Sequence, residues 1–356
     1  MVKHMPSDKA PGLDGFNGMF MKKCWDTIKH DVYKLCQDFF DCAVDLTPIN
    51  TSFITLVPKV SSLEQVNDYR PISLLNSIII TKNLVDRLQL VILELIHLNH
   101  YGFLRSRTIQ DCLAWSFQYI HQCHQSKKKI LILKLDFAKT FDTVEHSSIL
   151  LMMESLGFPQ KWLRWVSMLF TTASSSVLFN GVSGKQFKCK RGVRQGDPLS
   201  PLLFVITADL LHHIINRAFH MGLLKDPLPN LGMDFPIVQY ADDTLLLVQA
   251  NAAQLICIKA LLNSFAQSTG LHVNYSKSIM VPINVDESRS KHLAPTFGCS
   301  LGTMLFTYLG LPMGTTKPKI NDMSPLIVKI ERRLNASSSL LSLSGRLQLI
   351  NSVITQ

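Results

Sequence analysis

Three aspartates carry the chemistry that this sequence could support. Asp242 and Asp243 are adjacent and stand between two short apolar runs, Ile237–Tyr240 and Thr244–Val248. Asp136 lies near the C-terminal end of a third apolar run, Ile130–Phe137. Charge at the rim of a hydrophobic strand pair is costly unless a cation or a base partner neutralises it. A plain hairpin turn would also accept two Asp residues, so the pair alone decides nothing. Asp136 adds weight: if its strand neighbours the other two in one sheet, three carboxylates converge. Such a set suits two Mg²⁺ ions, with Mn²⁺ as a substitute, because this hard cation takes few protein oxygens and leaves room for water and phosphate. A pair of ions roughly 3.5–4 Å apart supports attack by a hydroxyl and departure of pyrophosphate in an in-line displacement. That is the chemistry of nucleotide polymerisation.

The elements that must position these acids are readable from the pattern. A turn-rich loop occupies 6–18, and an amphipathic helix is expected over about 19–43. Thr51–Val57 alternates and is β-branched, which predicts a strand ending at Pro58-Lys59. Helices are expected over about 82–97, 108–124, 146–156 and 160–170. Ser175–Phe179, Asn180-Gly181 and Lys185–Lys190 predict a hairpin, since Asn-Gly is a strong two-residue turn signal. A long helix is expected from Asp197-Pro198 to about Phe219, with Asp as its cap and Pro in its first turn. Another spans about 252–269. Beyond 283 the composition loosens, with basic helices expected over 325–334 and 345–355. The mixture predicts an α+β fold.

Composition narrows the partners. The 356 residues hold 36 Lys plus Arg against 26 Asp plus Glu, a net charge of +10, which suits a polyanion such as nucleic acid. Eight cysteines are scattered without a Cys-x-x-Cys pair, so no zinc ribbon is indicated. His121, Cys123 and His124 cluster, but on one amphipathic helix with poor ligand spacing, and are read as structural. Scattered thiols fit a reducing, intracellular compartment. The N-terminus has no signal-peptide pattern. The apolar stretches Leu88–Leu98 and Leu199–Leu211 are short and contain acids, so no membrane partner is expected.

Seven segments, in order, resemble the motifs of reverse transcriptases. They are Lys9–Phe16, Asp68–Leu74, Lys134–Asp142, Gly192–Pro201, Tyr240–Asp243, Gly270–Ser278 and Tyr308–Gly314. Each alone is weak; the ordered set is specific and spans nearly the whole chain. The pattern is most similar to reverse transcriptases of plant LINE-type (non-LTR) retrotransposons.

The resemblance implies a right-hand polymerase fold: fingers with part of the palm over 1–129, the palm over 130–300, and a primer grip with a truncated thumb over 301–356. It implies an RNA-directed DNA polymerase that extends a DNA primer on an RNA template with dNTPs, and a nuclear location, since such elements copy themselves at chromosomal nicks. Oligomeric state is left open. Position by position, it makes Asp136, Asp242, Asp243 and the Phe137 carbonyl the metal ligands. Phe141 becomes the steric gate against a ribose 2′-hydroxyl. Gln195, Gly196 and Tyr240 would meet the incoming nucleotide. Lys59 and Arg70 would hold its triphosphate, and Lys277 would protonate pyrophosphate. Arg105, Arg107 and Arg194 would touch nucleic acid, and Leu309-Gly310 would grip the primer. Arg332, Arg333 and Arg346 are further candidates for phosphate contact.

The chain departs from the family pattern at Leu13, at His100 and at Arg105-Ser106-Arg107, which puts template grip in question. Two other readings stay open: a non-catalytic, truncated nucleic-acid-binding remnant of a retroelement, and a related palm polymerase or maturase. An aromatic at 141 argues against RNA synthesis.

Overall fold

The computed structural model describes residues 2–331, except 8–9, 60–61, 63, 77, 229–233, 317–318, 320, 322–323, 325–326 and 329. Arg332, Arg333, Arg346 and most of the two expected C-terminal helices lie outside the described residues. The strands are β1 (Thr51–Pro58), β2 (Tyr69–Leu75), β3 (Ile130–Leu135), β4 (Ser174–Phe179), β5 (Val182–Ser183), β6 (Phe187–Lys188), β7 (Ile237–Tyr240), β8 (Asp243–Gln249), β9 (Ile279–Ile283), β10 (Ser300–Leu301), β11 (Phe306–Tyr308) and β12 (Leu311–Met313). The helices are α1 (Gly18–Lys23), α2 (Trp25–Phe40), α3 (Ile78–Leu88), α4 (Ile92–Leu95), α5 (Ile109–Gln125), α6 (Thr140–Thr143), α7 (His146–Ser155), α8 (Gln160–Thr171), α9 (Ser200–Ala208), α10 (Leu210–His220), α11 (Ala252–Thr269) and α12 (Glu287–Phe297).

The sheet that matters most runs β10-β9-β3-β8-β7, with β3 at its centre. Its run Ile-Leu-Ile-Leu reads as continuous because helices or loops cover both faces. Strand alternation then divides the side chains. Leu131, Leu133 and Leu135 pack into one core with Ile149 of α7, Phe204 of α9 and Phe265 of α11. Ile130 and Ile132 pack into a second core with Cys112 and Ile120 of α5 and with Tyr308 and Met313. Helix α5 starts where a reciprocal capping box between Thr108 and Asp111 satisfies its first donors.

A second sheet runs β2-β1-β4-β5, with β6 also on β4. β1 pairs antiparallel with β2 and parallel with β4. The hairpin expected over 175–190 is therefore shared with the 51–75 region rather than with the sheet that holds β3. Its turn forms at Asn180 and Gly181, both with positive φ.

Three expectations need correction. The long helix starts at Ser200 rather than Asp197: Asp197 instead accepts the Leu199 N–H at 2.9 Å in a tight turn before it. It also divides at Asp209 into α9 and α10, where the His212 N–H turns to the Asp209 carbonyl at 3.0 Å. The loose region beyond 283 holds α12, which tolerates Pro295 near its end and stops at left-handed Gly298. Ser200–His220 is the one run among the described residues long and apolar enough to cross a membrane, yet 72% of its apolar window is buried inside the fold, as in a core helix. Cys123 is likewise core, and His121 Nδ1 meets the Thr315 carbonyl.

Candidate active site

The register of β3 on β8 brings the acids together. Leu135 pairs with Thr244 at the end of the ladder, so the next step sets Asp136 against Asp243. Residues directly opposed on antiparallel strands have Cα atoms about 4.5–5.5 Å apart. Tyr240 pairs with Asp243 and leaves Ala241-Asp242 at the turn between β7 and β8. Thr140, at the start of α6, donates from Oγ1 to Asp242 Oδ2 at 3.4 Å. Asp242 opens to solvent on one side and is walled by protein on the others. Desolvation by that wall, then the charge of Asp136, push its carboxyl above the ordinary value. Desolvation and the charge of Asp242 do the same to Asp243, with Lys134 offsetting part of it. Acids that raise one another are short of positive charge, and an all-oxygen donor set of this kind fits a hard divalent cation.

Residues 272–278 fix Asp136 from the other side. Asn274 N–H donates to the Asp136 carbonyl at 2.7 Å, and Ala138 N–H to the His272 carbonyl at 2.9 Å. Between these bonds Phe137 and Val273 form a bridge without bonds of their own. Backbone polar groups alternate sides along a strand, so the Phe137 carbonyl faces away from Val273, toward β8 and the acids. Ser278 Oγ accepts the Asp136 N–H at 3.1 Å. Lys277 is the exposed neighbour of that serine, and its ammonium makes no ion pair among the described residues.

The Tyr240–Asp243 turn is braced from behind. Ala241 has φ +54, a left-handed conformation costing a non-glycine residue roughly 1–2 kcal/mol. Gly102 backs onto it: a Cβ added at Gly102 would lie 2.3 Å from Ala241 N and 2.8 Å from its Cα. Backbone cannot yield as a flexible side chain would. Gly102→Ala is therefore expected to destabilise the protein by about 1–3 kcal/mol and to displace the turn. Denaturant melts together with a metal titration check this; an unshifted midpoint would show that the brace is not needed.

The loop before α9 closes the site on the side of the first sheet. Ser73 N–H of β2 donates to the Gln195 carbonyl at 2.7 Å, and the Gln195 side chain hydrogen-bonds Asp142. Gly196, at φ +117, lies where a Cβ would meet the Ser73 carbonyl at 2.6 Å. Lys59 and Arg70, both exposed, project from this sheet. Lys59 acts on Asp142 and Arg70 on Asp242, each pulling a carboxyl down against the burial that raises it. A cleft of about 240 Å³ lies between the sheet and the loop; Pro71, Phe141 and Gln195 line it, and Lys188, Lys190 and Arg191 form its basic rim.

His146 ties that loop to α7 through a 2.8 Å contact between Nε2 and the Gly192 carbonyl, with its ring stacked on Phe170 at 4.0 Å. Burial holds its imidazole below the usual 6.5. A lowered folded-state value favours the neutral ring, so its contribution is present above pH 6.5 and is lost as pH falls. His146→Asn is expected to remove up to about 1.36 kcal/mol per pH unit of acid sensitivity below pH 6.5. Urea melts at pH 7.0 and 5.5 test this; an unchanged pH slope in the variant would refute it.

Phe141 sits between two rings, stacked on Phe204 at 5.2 Å and edge-on to Phe103 at 6.1 Å. Tyr240, half-buried, precedes the turn. Leu309 and Gly310 form the tip of the β11–β12 hairpin, both with positive φ. That hairpin is anchored beside the acids, because the Tyr308 hydroxyl reaches the Asp243 carbonyl at 3.4 Å and Lys134 Nζ binds the Thr307 carbonyl at 2.9 Å.

The arginines divide. Arg107 spends its guanidinium on the carbonyls of Leu93, Ile96, His97 and His100, closing the segment after α4. Arg194 binds the side chain and carbonyl of Asn50. Both guanidiniums are thus held to neighbouring segments of the fold, and both stay half-exposed. Arg105 is exposed and paired with Asp86 at 2.7 Å. Sequence reasoning passed over Lys134, Thr140, Ser278, Lys188, Lys190 and Arg191. Thr140 and Lys134 stood inside a quoted motif, so proximity to Asp136 was the available signal; the basic rim had none beyond its charge.

The family model described as "Reverse transcriptase (RNA-dependent DNA polymerase)" matches residues 57–313. The chain belongs to the reverse transcriptase family. Among curated relatives of this reverse transcriptase domain is the transposon TX1 uncharacterized 149 kDa protein of Xenopus laevis, 25% identical over 99% of this chain and 27% of that protein. Another is the Pol polyprotein of the type-1 retrotransposable element R2 of Popillia japonica, 28% identical over 67% of this chain and 33% of its own length. The chain thus spans about a quarter to a third of these relatives. Both come from non-LTR elements of animals. In fold, the domain is similar to a telomerase of Candida tropicalis solved with a TWJ fragment of telomeric RNA, with a TM-score of 0.53 and 14% identity over 86% of this chain and 53% of that one. Reverse transcriptases generally use divalent metals.

Proposed function

We propose that this domain is the polymerase core of a LINE-type element and adds dNTPs to a DNA primer on an RNA template, in the nucleus of its host. The observation that carries the reading is the β3–β8 register, which sets Asp136 opposite Asp243 and beside Asp242. These acids and the Phe137 carbonyl would hold Mg²⁺. When bound, it supplies charge stabilisation for the phosphate oxygens and eases loss of the primer hydroxyl proton. Lys59 and Arg70 place positive charge across from the acids, where a triphosphate would gain negative charge as pyrophosphate departs. Lys277 is the proton donor to that pyrophosphate in this reading. Phe141 packs against the sugar, Gln195, Gly196 and Tyr240 shape the nucleotide site, and Leu309-Gly310 hold the primer. Arg105 and the basic rim at Lys188, Lys190 and Arg191 contact nucleic-acid phosphates. The plant assignment rests on motif resemblance alone.

Primer extension with Mg²⁺, an RNA template and dNTPs tests the reading, and product is expected. Its absence, with RNA binding retained, would leave the non-catalytic remnant as the better reading.

A further inference from the structure

Behind the Tyr240–Asp243 turn lies a second group of ligating side chains that polymerisation does not use. His100, Asp209 and His212 are 0%, 1% and 0% exposed. Each offers one atom, and these atoms all lie within 4.8 Å of one another. His100 Nδ1 stands 3.2 Å from Asp209 Oδ1. Neither ring nitrogen of His212 has a hydrogen-bond partner, and His100 Nε2 has none. A buried polar atom left unpaired costs about 1–3 kcal/mol, so this cluster calls for a partner. A hydrogen-bond network accounts for His100, which has Asp209, but not for His212. Its ring is held in place by stacking on His97 at 4.2 Å. The remaining Asp209 contacts are the His97 N–H and the exposed His213, whose Nε2 lies 3.5 Å from Oδ2.

We propose that His100, Asp209 and His212 form a structural transition-metal site that takes one Zn²⁺, with water completing the coordination. Two imidazoles and a carboxylate suit zinc far better than Mg²⁺. Bonds of about 2.0–2.1 Å in a tetrahedron place neighbouring ligand atoms about 3.3 Å apart, and the His100–Asp209 pair already stands at that spacing. The three ligands come from two separate stretches of chain. His100 precedes Gly102 and bridges Gln239, just before the Tyr240–Asp243 turn. Asp209 and His212 sit at the break between α9 and α10. One ion would therefore tie the segment that braces Ala241 to the core helices. The inference stands independently of nucleotide addition.

The test is metal content. An Asp136→Asn/Asp242→Asn background removes binding at the polymerase acids. This folded chain, stripped with chelator and titrated with Zn²⁺, is expected to retain one equivalent by elemental analysis. With Co²⁺ it is expected to show the visible absorption of tetrahedral coordination. Zinc should raise its melting temperature, and chelator should reverse the rise. His212→Gln and Asp209→Asn, introduced separately, should each weaken uptake at least about tenfold. If either variant fails to fold, the Co²⁺ spectrum of the background chain still decides. No stoichiometric uptake by that chain, or uptake unchanged in a folded variant, overturns the proposal.

Discussion

Asp242→Asn or Asp136→Asn will lower primer extension by about 10³-fold or more while leaving the chain folded. Cation binding at a phosphoryl-transfer site supplies several kcal/mol of charge stabilisation, and each 1.36 kcal/mol is about tenfold in rate. The fold should survive because the carboxylates stand close together and repel one another within it. The carboxyl of Asp242 is raised by desolvation and by Asp136, and Asn removes that repulsion. The same change leaves the β3–β8 ladder untouched, since neither residue contributes a core side chain. Single-turnover extension with saturating RNA and dNTP separates the chemical step from binding. A loss below tenfold, with melting unchanged, would remove Asp136 or Asp242 from the metal-binding set and with it the basis of the proposed function.

Phe141→Ala will relax sugar selection, raising the efficiency of ribonucleotides relative to deoxynucleotides by about tenfold to a hundredfold. The ring is fixed between Phe204 and Phe103, and the backbone behind it is pinned by the Val193 N–H on its carbonyl. A ring held this way blocks an added hydroxyl by position rather than by flexible contact, so shrinking it opens space without reorganising the site. The substitution also removes packing against Phe204, and a loss of about 3 kcal/mol of stability is expected alongside. Competition between a ribonucleotide and its deoxy counterpart reads selectivity independently of total activity. Unchanged discrimination in a folded variant would make Phe141 a core residue and nothing more.

Some of this was written plainly in the sequence. The Ile130–Leu135 run and the turn at Tyr240–Asp243 announced their strands because local pattern and final burial agree there. Asn180-Gly181 announced its turn for the same reason. The meeting of Asp136 with Asp243 was legible only as a condition, since pairing across more than a hundred residues leaves no local trace. Motif order supplied what periodicity could not. The break at Asp209 was hidden because hydropathy runs on through α9 and α10. The carbonyl clamp of Arg107 was hidden for a related reason. An arginine that clamps four carbonyls and one that waits for phosphate look identical in sequence. α12 escaped notice because Ser, Lys and Pro dilute its apolar face.

The anchoring of Tyr308 on the Asp243 carbonyl has a mechanical meaning. The hairpin that would carry the growing end and the turn that carries two of the acids are fastened at one point. In the proposed reaction that fastening would hold the gap between the attacking oxygen and its target while the strand slides forward by one nucleotide, much as a vice keeps its opening when the bench shakes.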